Sequence, residues 1–231
     1  MIESCFLNKR YIMKKIIFGV LIVLSQIAYS QTSKNFGDFS SVKAYDRINV
    51  ALVKSSENKV EISDDSDIEI VNKNGELKIR MIPTKIMQGD KVFVTVFYEN
   101  LNDIQASQGS KITSEDAIEG GILNITSNEG SILNLKIETD VLNAKTNSGG
   151  IIHISGTAKT QDVLVNSGAN FNGRNLKSEV TSVTTNAGGN AEVYASKTIT
   201  ATNRAGGTIS IYGSPKDRNT KNMLGGKIYF R

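Results

Sequence analysis

The chain has 231 residues, enough for one or two domains with a buried core, and a formal net charge of +4. It contains one cysteine, one histidine and no tryptophan. This inventory excludes a disulfide framework and the usual zinc sites, and it leaves a single histidine for any Ser-His-Asp or Cys-His site.

Residues 1–30 are predicted to be a secretory signal peptide. Met13-Lys14-Lys15 opens a short basic region, the run 16–27 is mostly apolar, and Ala28-Tyr29-Ser30 offers small residues to a signal peptidase. Met13 is therefore the favoured start of translation. The alternative is a transmembrane anchor, but the apolar run is shorter than the roughly 20 residues that span a membrane.

Removal of this leader changes the charge. Of the 27 basic and 23 acidic residues, four basic and one acidic lie within 1–30, so the remaining chain holds 23 and 22, a net charge of +1. A nucleic-acid partner loses its support because it needs a basic face. Cys5 precedes the apolar run, so it is not a lipoprotein acylation site. We predict an exported protein with no stable membrane span after cleavage, in the periplasm, on the outer surface or outside the cell.

Residues 31–100 are predicted to form an N-terminal β segment that caps the rest. Apolar residues alternate in 47–53 and again around Val60 and Ile62, and Val92 to Tyr98 is rich in β-branched and aromatic residues. Asn74-Gly75 lies between two apolar alternations, which predicts a hairpin. Residues 83–90 are predicted to be a loop.

Residues 101–231 carry a glycine repeat. The gaps between successive turn glycines are 21, 19, 19, 20, 18 and 19 residues, and a small residue follows each glycine. A fixed period near 20 is typical of repeating coils. The glycines are Gly109, Gly130, Gly149, Gly168, Gly188, Gly206 and Gly225.

Side chains alternate in register with these glycines. The third residue after each glycine is apolar, the fourth is never aliphatic, and the fifth is mostly apolar, so the sequence predicts one inward and one outward face. Two short strands and two corners per period make one coil of a β-solenoid. The inward residues at the third position are Ile112, Leu133, Ile152, Phe171, Ala191, Ile209 and Ile228.

Four asparagines lie two residues before successive glycines. Asparagine tolerates left-handed backbone angles in turns, and stacked amides can hydrogen-bond as a ladder. The residues are Asn128, Asn147, Asn166 and Asn186. We therefore predict an all-β fold: a β-solenoid with coils of about 19 residues, preceded by an antiparallel β segment. A β-sandwich with evenly spaced hairpins is the alternative.

The pattern resembles the putative auto-transporter adhesin head domain, the GIN domain or DUF2807, a family of exported proteins from the Bacteroidetes. The resemblance covers nearly the whole chain after the leader. It implies a β-helical fold on the cell envelope, and it brings no catalytic motif. Its carriers are Ile48-Asn49-Val50, residues 74–79, 101–104 and 107–110, the Asn-Ser-Gly and Ala-Gly-Gly turns, and residues 211–215.

No catalytic, metal or cofactor site is predicted. His153 falls in an outward column between Asn134 and Asn172, so we expect a solvated surface histidine. The acidic group Asp64, Asp65 and Asp67 lacks the glycine and distal glutamate of a calcium loop, which favours a solvated turn. The carboxylates Glu138, Glu192 and Asp116 lie in outward columns without evident pairing.

Three tyrosines in the last two periods are the candidate surface-binding residues: Tyr194, Tyr212 and Tyr229. Tyr194 and Tyr212 occupy equivalent positions in successive coils, so they should stack. The other interpretation is a cross-coil aromatic pair that stabilises the solenoid, and it is favoured over a binding role.

The sequence favours a non-enzymatic envelope protein, adhesin-like, that presents a polar face to a glycan or a cell-surface protein. The first alternative is a polysaccharide-active β-helix enzyme, which needs two carboxylates across a cleft. The second is a self-assembling scaffold in which exposed end coils stack between molecules. The oligomeric state and the ligand are not predicted.

Overall fold

The computed structural model describes residues 32–63 and 67–231, and nearly all of its regular structure is β-strand. The seventeen strands in this part of the chain belong to one hydrogen-bonded sheet that winds into a β-solenoid. The predicted all-β solenoid with coils of about 19 residues is confirmed. The predicted leader and the residues Asp64 and Asp65 lie outside the described residues.

Eight strands precede the first glycine corner, and two short 3-10 turns, Pro83–Lys85 and Gly89–Lys91, lie in the segment that was predicted to be a loop. The strands are β1 (Thr32–Lys34), β2 (Ser41–Ala44), β3 (Asn49–Lys54), β4 (Lys59–Ile62), β5 (Ile68–Lys73), β6 (Glu76–Met81), β7 (Phe93–Tyr98) and β8 (Asp103–Ala106).

Nine strands follow that corner. Four of them have 15 to 17 residues and run through a second bend of the coil without interruption. The strands are β9 (Lys111–Ser127), β10 (Ile132–Thr146), β11 (Ile151–Val165), β12 (Asn170–Thr185), β13 (Asn190–Tyr194), β14 (Thr198–Ala205), β15 (Thr208–Tyr212), β16 (Asp217–Leu224) and β17 (Lys227–Phe230).

Successive coils pair in parallel and in the predicted register. Leu133 lies opposite Ile112 on one side and Ile152 on the other, and Phe171 continues the column. All four side chains are buried. The interior is thus a stack of apolar columns, each supplied by one residue per coil, as the alternation predicted.

The first five corners are tight turns with two successive left-handed residues, whereas the sixth places them at Gly206 and Gly207 and the seventh has positive φ at Gly225 alone. At the second corner, Glu129 has φ +54° and Gly130 has φ +71°, and the Ser131 N–H donates to the Asn128 carbonyl. This is the type I′ pattern, which needs positive φ at both central positions and explains the glycine. Small residues follow because the next position is tight: a Cβ at Gly150 would lie 2.4 Å from the Ser127 carbonyl oxygen.

The asparagine ladder forms, but the predicted left-handed role of its residues is wrong. Asn147 Nδ2 donates to Asn128 Oδ1 at 2.7 Å, Asn166 Nδ2 to Asn147 Oδ1 at 2.8 Å, and Asn186 Nδ2 to Asn166 Oδ1 at 2.7 Å. The left-handed residue is the one after each asparagine, such as Glu129. Asparagine is therefore selected at the first turn position for its amide, which connects one coil to the next.

Departures from a 19-residue period appear as bulges in the pairing between strands of successive coils. The 21-residue gap before Gly130 corresponds to extra residues of β9 opposite Leu135, and the 20-residue gap before Gly188 to one extra residue of β12 opposite Ile154. The following 18-residue period interrupts the coil between β13 and β14. The perimeter of the coil therefore changes abruptly between β12 and β13.

The strands before residue 101 include both parallel and antiparallel pairs. β2 and β3 stack in parallel on β8 and β9, and β6 and β7 stack in parallel on β2 and β3. β5 pairs antiparallel with β6 through the predicted Asn74-Gly75 hairpin, β4 with β7, and β1 with β4. These antiparallel strands cover the edges at this end, and the domain boundary at residue 100 stays a prediction.

The last coil, β16 and β17, replaces apolar interior residues of β14 with polar ones. By register, Arg218 follows Ile199 and Thr220 follows Ala201. The Arg218 guanidinium carbon lies 4.4 Å from the centre of the Phe230 ring, and its Nε donates to the Pro215 carbonyl at 3.0 Å. A charged residue at an inward position of an edge strand discourages pairing with another chain. Arg218 thus covers one side of the Phe230 ring, and Phe230 stays 41% exposed.

We expect Asn166→Ala to lower the free energy of unfolding by about 1–2 kcal/mol, because it leaves the partly buried Asn186 donor and Asn147 acceptor unpaired. Urea denaturation measures this. Asn143→Ala is the matched control, since Asn143 donates to Asn124 in an exposed amide pair. Equal losses in the two variants would show that the partly buried ladder has no special role.

We expect Arg218→Leu to increase self-association, because it exposes an apolar column end next to Phe230 and removes a charge from the edge. Sedimentation velocity over a concentration series measures this. Lys221→Leu is the control: Lys221 lies opposite Thr202 on the outward face of the same strand. The capping role is wrong if both variants associate to the same extent.

Candidate functional site

A groove of about 620 Å³ runs along the side of the solenoid at its second bend. The columns follow the coil-to-coil register, so the groove lies parallel to the solenoid axis. It crosses five coils, and four steps of about 4.8 Å give a length of roughly 19 Å. We call it the lateral groove.

Small residues form the floor of the lateral groove, in one column that continues to Ser196. Charged residues form its two walls. The floor comprises Gly120, Thr139, Ala158, Ser178 and Ser196, the first wall Glu119, Glu138, Thr157 and Lys177, and the second wall Asp140, Lys159 and Glu179.

The second wall is a ladder of opposite charges. Lys159 Nζ lies 2.6 Å from Asp140, and Lys197 Nζ lies 2.7 Å from Glu179. The hydrogen bond and the charge of Asp140 raise the pKa of Lys159 above its ordinary value. These exposed pairs neutralise the second wall, and each contributes little to stability because solvent screens it.

Tyr194 closes the lateral groove at the end where the coil becomes shorter. Its ring is half-buried, and Lys177 Nζ lies 3.9 Å from the ring centre. A lysine at this distance over a tyrosine ring is attracted to the negative face of the ring. Lys177 forms no ion pair with a carboxylate of the described residues. Its ammonium group therefore keeps donors for a ligand.

A buried polar pair fixes the backbone of Tyr194 from inside the solenoid. Thr181 Oγ1 donates to the Tyr194 carbonyl at 2.7 Å, and Gln161 Nε2 donates to it at 2.9 Å. Gln161 and Thr181 stand in an interior column that begins with Leu123 and Leu142. The break between β13 and β14 turns this carbonyl inward, and the two polar side chains satisfy it.

Tyr212 and Tyr229 share the outward face with Tyr194 but do not line the lateral groove. Tyr212 lies directly opposite Tyr194 in the next coil, as predicted, and Arg174 lies over its ring at 5.1 Å. Tyr229 is more exposed, and Arg231 lies over its ring at 4.7 Å. The role of the three tyrosines in binding stays a prediction.

The cations of this region were not predicted from the sequence. Arg174 is the sixth residue after Gly168, the position that Tyr194 and Tyr212 hold after their own glycines. The position of Arg174 beside these tyrosines could therefore have been predicted by counting from the glycines. Lys177 gave no such signal because the bulge in β12 shifts the residues that follow it.

The histidine and the carboxylates considered as catalytic candidates do not come together in one site. His153 is exposed on the outward face between Asn134 and Asn172, in a second depression of about 460 Å³. Of the predicted carboxylates only Glu138 lines the lateral groove; Glu192 and Asp116 do not. Across residues 32–63 and 67–231, no three His, Cys, Asp or Glu side chains form a group that could hold a metal.

The family model described as "Putative auto-transporter adhesin, head GIN domain" (DUF2807) matches residues 38–215. The chain belongs to this family. The resemblance noted from the turns and columns is thereby confirmed. None of the curated proteins matches this GIN-domain chain. In the part of the chain that the structure describes, no helix has the length and apolar character to cross a membrane.

Solved structures share the fold of this GIN-domain protein. A putative adhesin from Bacteroides fragilis has a TM-score of 0.81 at 19% identity, over 87% of this chain and 96% of its own. A putative adhesin from Parabacteroides distasonis has 0.69 at 19%, with the same coverage. A putative lipid binding protein from the same species has 0.65 at 14%, again with that coverage. At these identities, the likeness shows the fold.

We expect the Arg174–Tyr212 contact of the GIN domain to stabilise the fold by about 0.5 kcal/mol, because a cation lies over the ring at an exposed position. A double-mutant cycle with Arg174→Ala and Tyr212→Ala measures the coupling from urea denaturation. Tyr212→Phe should retain the coupling, since it keeps the ring. A coupling of zero would show that the cation and the ring do not interact.

Proposed function

We propose that this protein is a non-enzymatic, exported cell-envelope protein that binds glycan through the lateral groove and the tyrosines beside it. The observation that carries the proposal is the Tyr194 end of the groove, where Lys177 lies over the ring and the carbonyl is held from inside. An aromatic ring beside charged hydrogen-bonding groups suits a sugar, which presents both apolar faces and hydroxyls.

Export is supported by two independent observations. Residues 1–30 have the composition and order of a signal peptide, and the family description is that of an adhesin head domain. Both fit a location in the periplasm, on the outer surface or outside the cell. A cell-surface protein is the other partner class that such a location permits.

The lining of the groove favours glycan over lipid. One neighbour in fold is named as a lipid binding protein. Acyl chains require an enclosed apolar cavity, whereas the walls of the lateral groove are built from Glu119, Glu138, Asp140 and other charged residues. The polar groups here match hydroxyls and charges instead.

A polysaccharide-active enzyme is the second candidate function, because the lateral groove is lined by several carboxylates. Hydrolysis requires a carboxylic acid and a second carboxylate placed on opposite sides of the scissile bond. Glu119 and Glu138 are neighbours on one wall, while Asp140 and Glu179 on the other are held by lysines. This arrangement favours binding without cleavage.

The scaffold alternative requires ends that accept another molecule. Antiparallel strands cover the edges at one end, and at the other Arg218 places a charge over the partly exposed Phe230 ring. Both features oppose continuous stacking of coils between molecules. The side of the solenoid is therefore the surface left for binding.

We expect the purified protein to bind a subset of an oligosaccharide array and to bind isolated envelope fractions. Tyr194→Ala should weaken this binding roughly tenfold, because it removes the ring and the platform for Lys177. Phe93→Ala is the control, since Phe93 is an exposed aromatic residue on β7, away from the groove.

Absence of specific binding to both arrays and envelope fractions by folded protein would contradict the proposed function. Release of shorter sugars during incubation, lost on Glu138→Gln, would replace it with the enzymatic alternative. Circular dichroism confirms that each variant is folded.

A further inference from the structure

The charges of the first wall separate along the lateral groove. Glu119 and Glu138 lie opposite each other in neighbouring coils, and no lysine or arginine of the described residues forms an ion pair with either. Thr157 follows, and Lys177 comes next in the same column. The wall is thus acidic at one end and basic at the other.

The second wall does not cancel this separation. Its acidic residues Asp140 and Glu179 are paired with Lys159 and Lys197. The uncompensated groups that face a ligand are therefore Glu119 and Glu138 at one end and Lys177 at the other. Arg174, over Tyr212, adds positive charge beyond Lys177.

We propose, on the basis of the proposed function, that the lateral groove binds an oligosaccharide in one direction along the solenoid axis. Its single anionic group lies at Lys177 beside Tyr194, and its neutral hydroxylated units lie against Glu119 and Glu138. The groove rejects an oligosaccharide that carries an anionic group on every unit.

The distances suit an extended ligand. Glu138 and Lys177 are two coil steps apart, about 10 Å, and Glu119 is one step further, about 14 Å from Lys177. An ammonium group donates charge-assisted hydrogen bonds to a carboxylate or a sulfate. Ionised carboxylates only accept hydrogen bonds, so Glu119 and Glu138 accept from hydroxyls and repel anions.

The shape of the groove allows this orientation. The floor residues Gly120, Ala158 and Ser178 are small, so a ligand can approach the backbone between the two walls. The Tyr194 ring provides an apolar platform at the basic end, and the backbone that carries it is held by Gln161 and Thr181. A backbone held in place before binding loses less conformational entropy when the ligand binds.

The test compares four oligosaccharides of equal length by calorimetry at low salt. One is neutral, one ends in a single uronic acid, one ends in a single sulfated sugar, and one carries a uronic acid on every unit. We expect both singly anionic probes to bind about tenfold more tightly than the neutral one, and the uniformly anionic probe to bind more weakly than either. The preference should shrink as salt is added.

Two variants test the two ends of the groove separately, and a third serves as the control. Lys177→Gln should reduce the preference for a singly anionic probe to about twofold or less, and Lys145→Gln, which removes an exposed charge from outside the groove, should leave the preference unchanged. The double variant Glu119→Gln/Glu138→Gln should strengthen binding of the uniformly anionic probe about tenfold, and it should keep the preference for the singly anionic probes.

The outcomes distinguish this inference from the proposed function. Equal binding of neutral and singly anionic probes, with loss of both on Tyr194→Ala, would overturn the charge assignment and leave the proposed function standing. A uniformly anionic probe that binds best to the wild type would overturn the direction. Binding to envelope fractions without binding to any of the four probes would overturn the ligand class. Failure to bind probes and fractions alike would overturn both proposals.

Discussion

The type I′ corner is the constraint on which this solenoid depends. Two successive left-handed residues reverse the chain within four positions, as at Glu129 and Gly130, and the small residue that follows permits close approach of the neighbouring coil. Because the first five corners repeat this geometry, the residues after each of them fall into fixed inward and outward columns. The asparagine amides then connect corner to corner in a continuous ladder. Burial, register and ladder all follow from one turn.

Regular stacking can produce a groove that continues along the axis, but an end to that groove requires an irregular coil. The lateral groove ends where a 20-residue period with a bulge in β12 meets an 18-residue period that breaks between β13 and β14. That mismatch turns the Tyr194 carbonyl into the interior, where Gln161 and Thr181 bind it. The inward Tyr194 carbonyl thus explains why Gln161 and Thr181 are polar in an interior column whose first two residues are leucines. They connect the repeat to the candidate site.

The sequence predicted the columns well because glycine spacing and side-chain alternation are both local signals. The hairpin at Asn74-Gly75 and the buried faces of β3 and β7 followed from the same kind of signal. The second bend had no such signature, since β9 to β12 pass through it as continuous strands. The groove walls, and Lys177 above all, could therefore not be located from spacing. The left-handed role given to the ladder asparagines was wrong because the adjacent residue takes that conformation.

The two ends and the side of the solenoid face different physical demands. An end coil exposes unpaired backbone groups and an unfinished core, so β16 places Arg218 where the preceding coil has Ile199, and Arg218 covers Phe230. The side exposes only satisfied strands, so its residues are free to carry charge. Ion pairs such as Asp140–Lys159 neutralise one wall of the groove, whereas Glu119, Glu138 and Lys177 are left without ionic partners among the described residues. Exposed charges that stability does not require, aligned beside a half-buried aromatic ring, are the feature of this surface most readily explained by a ligand.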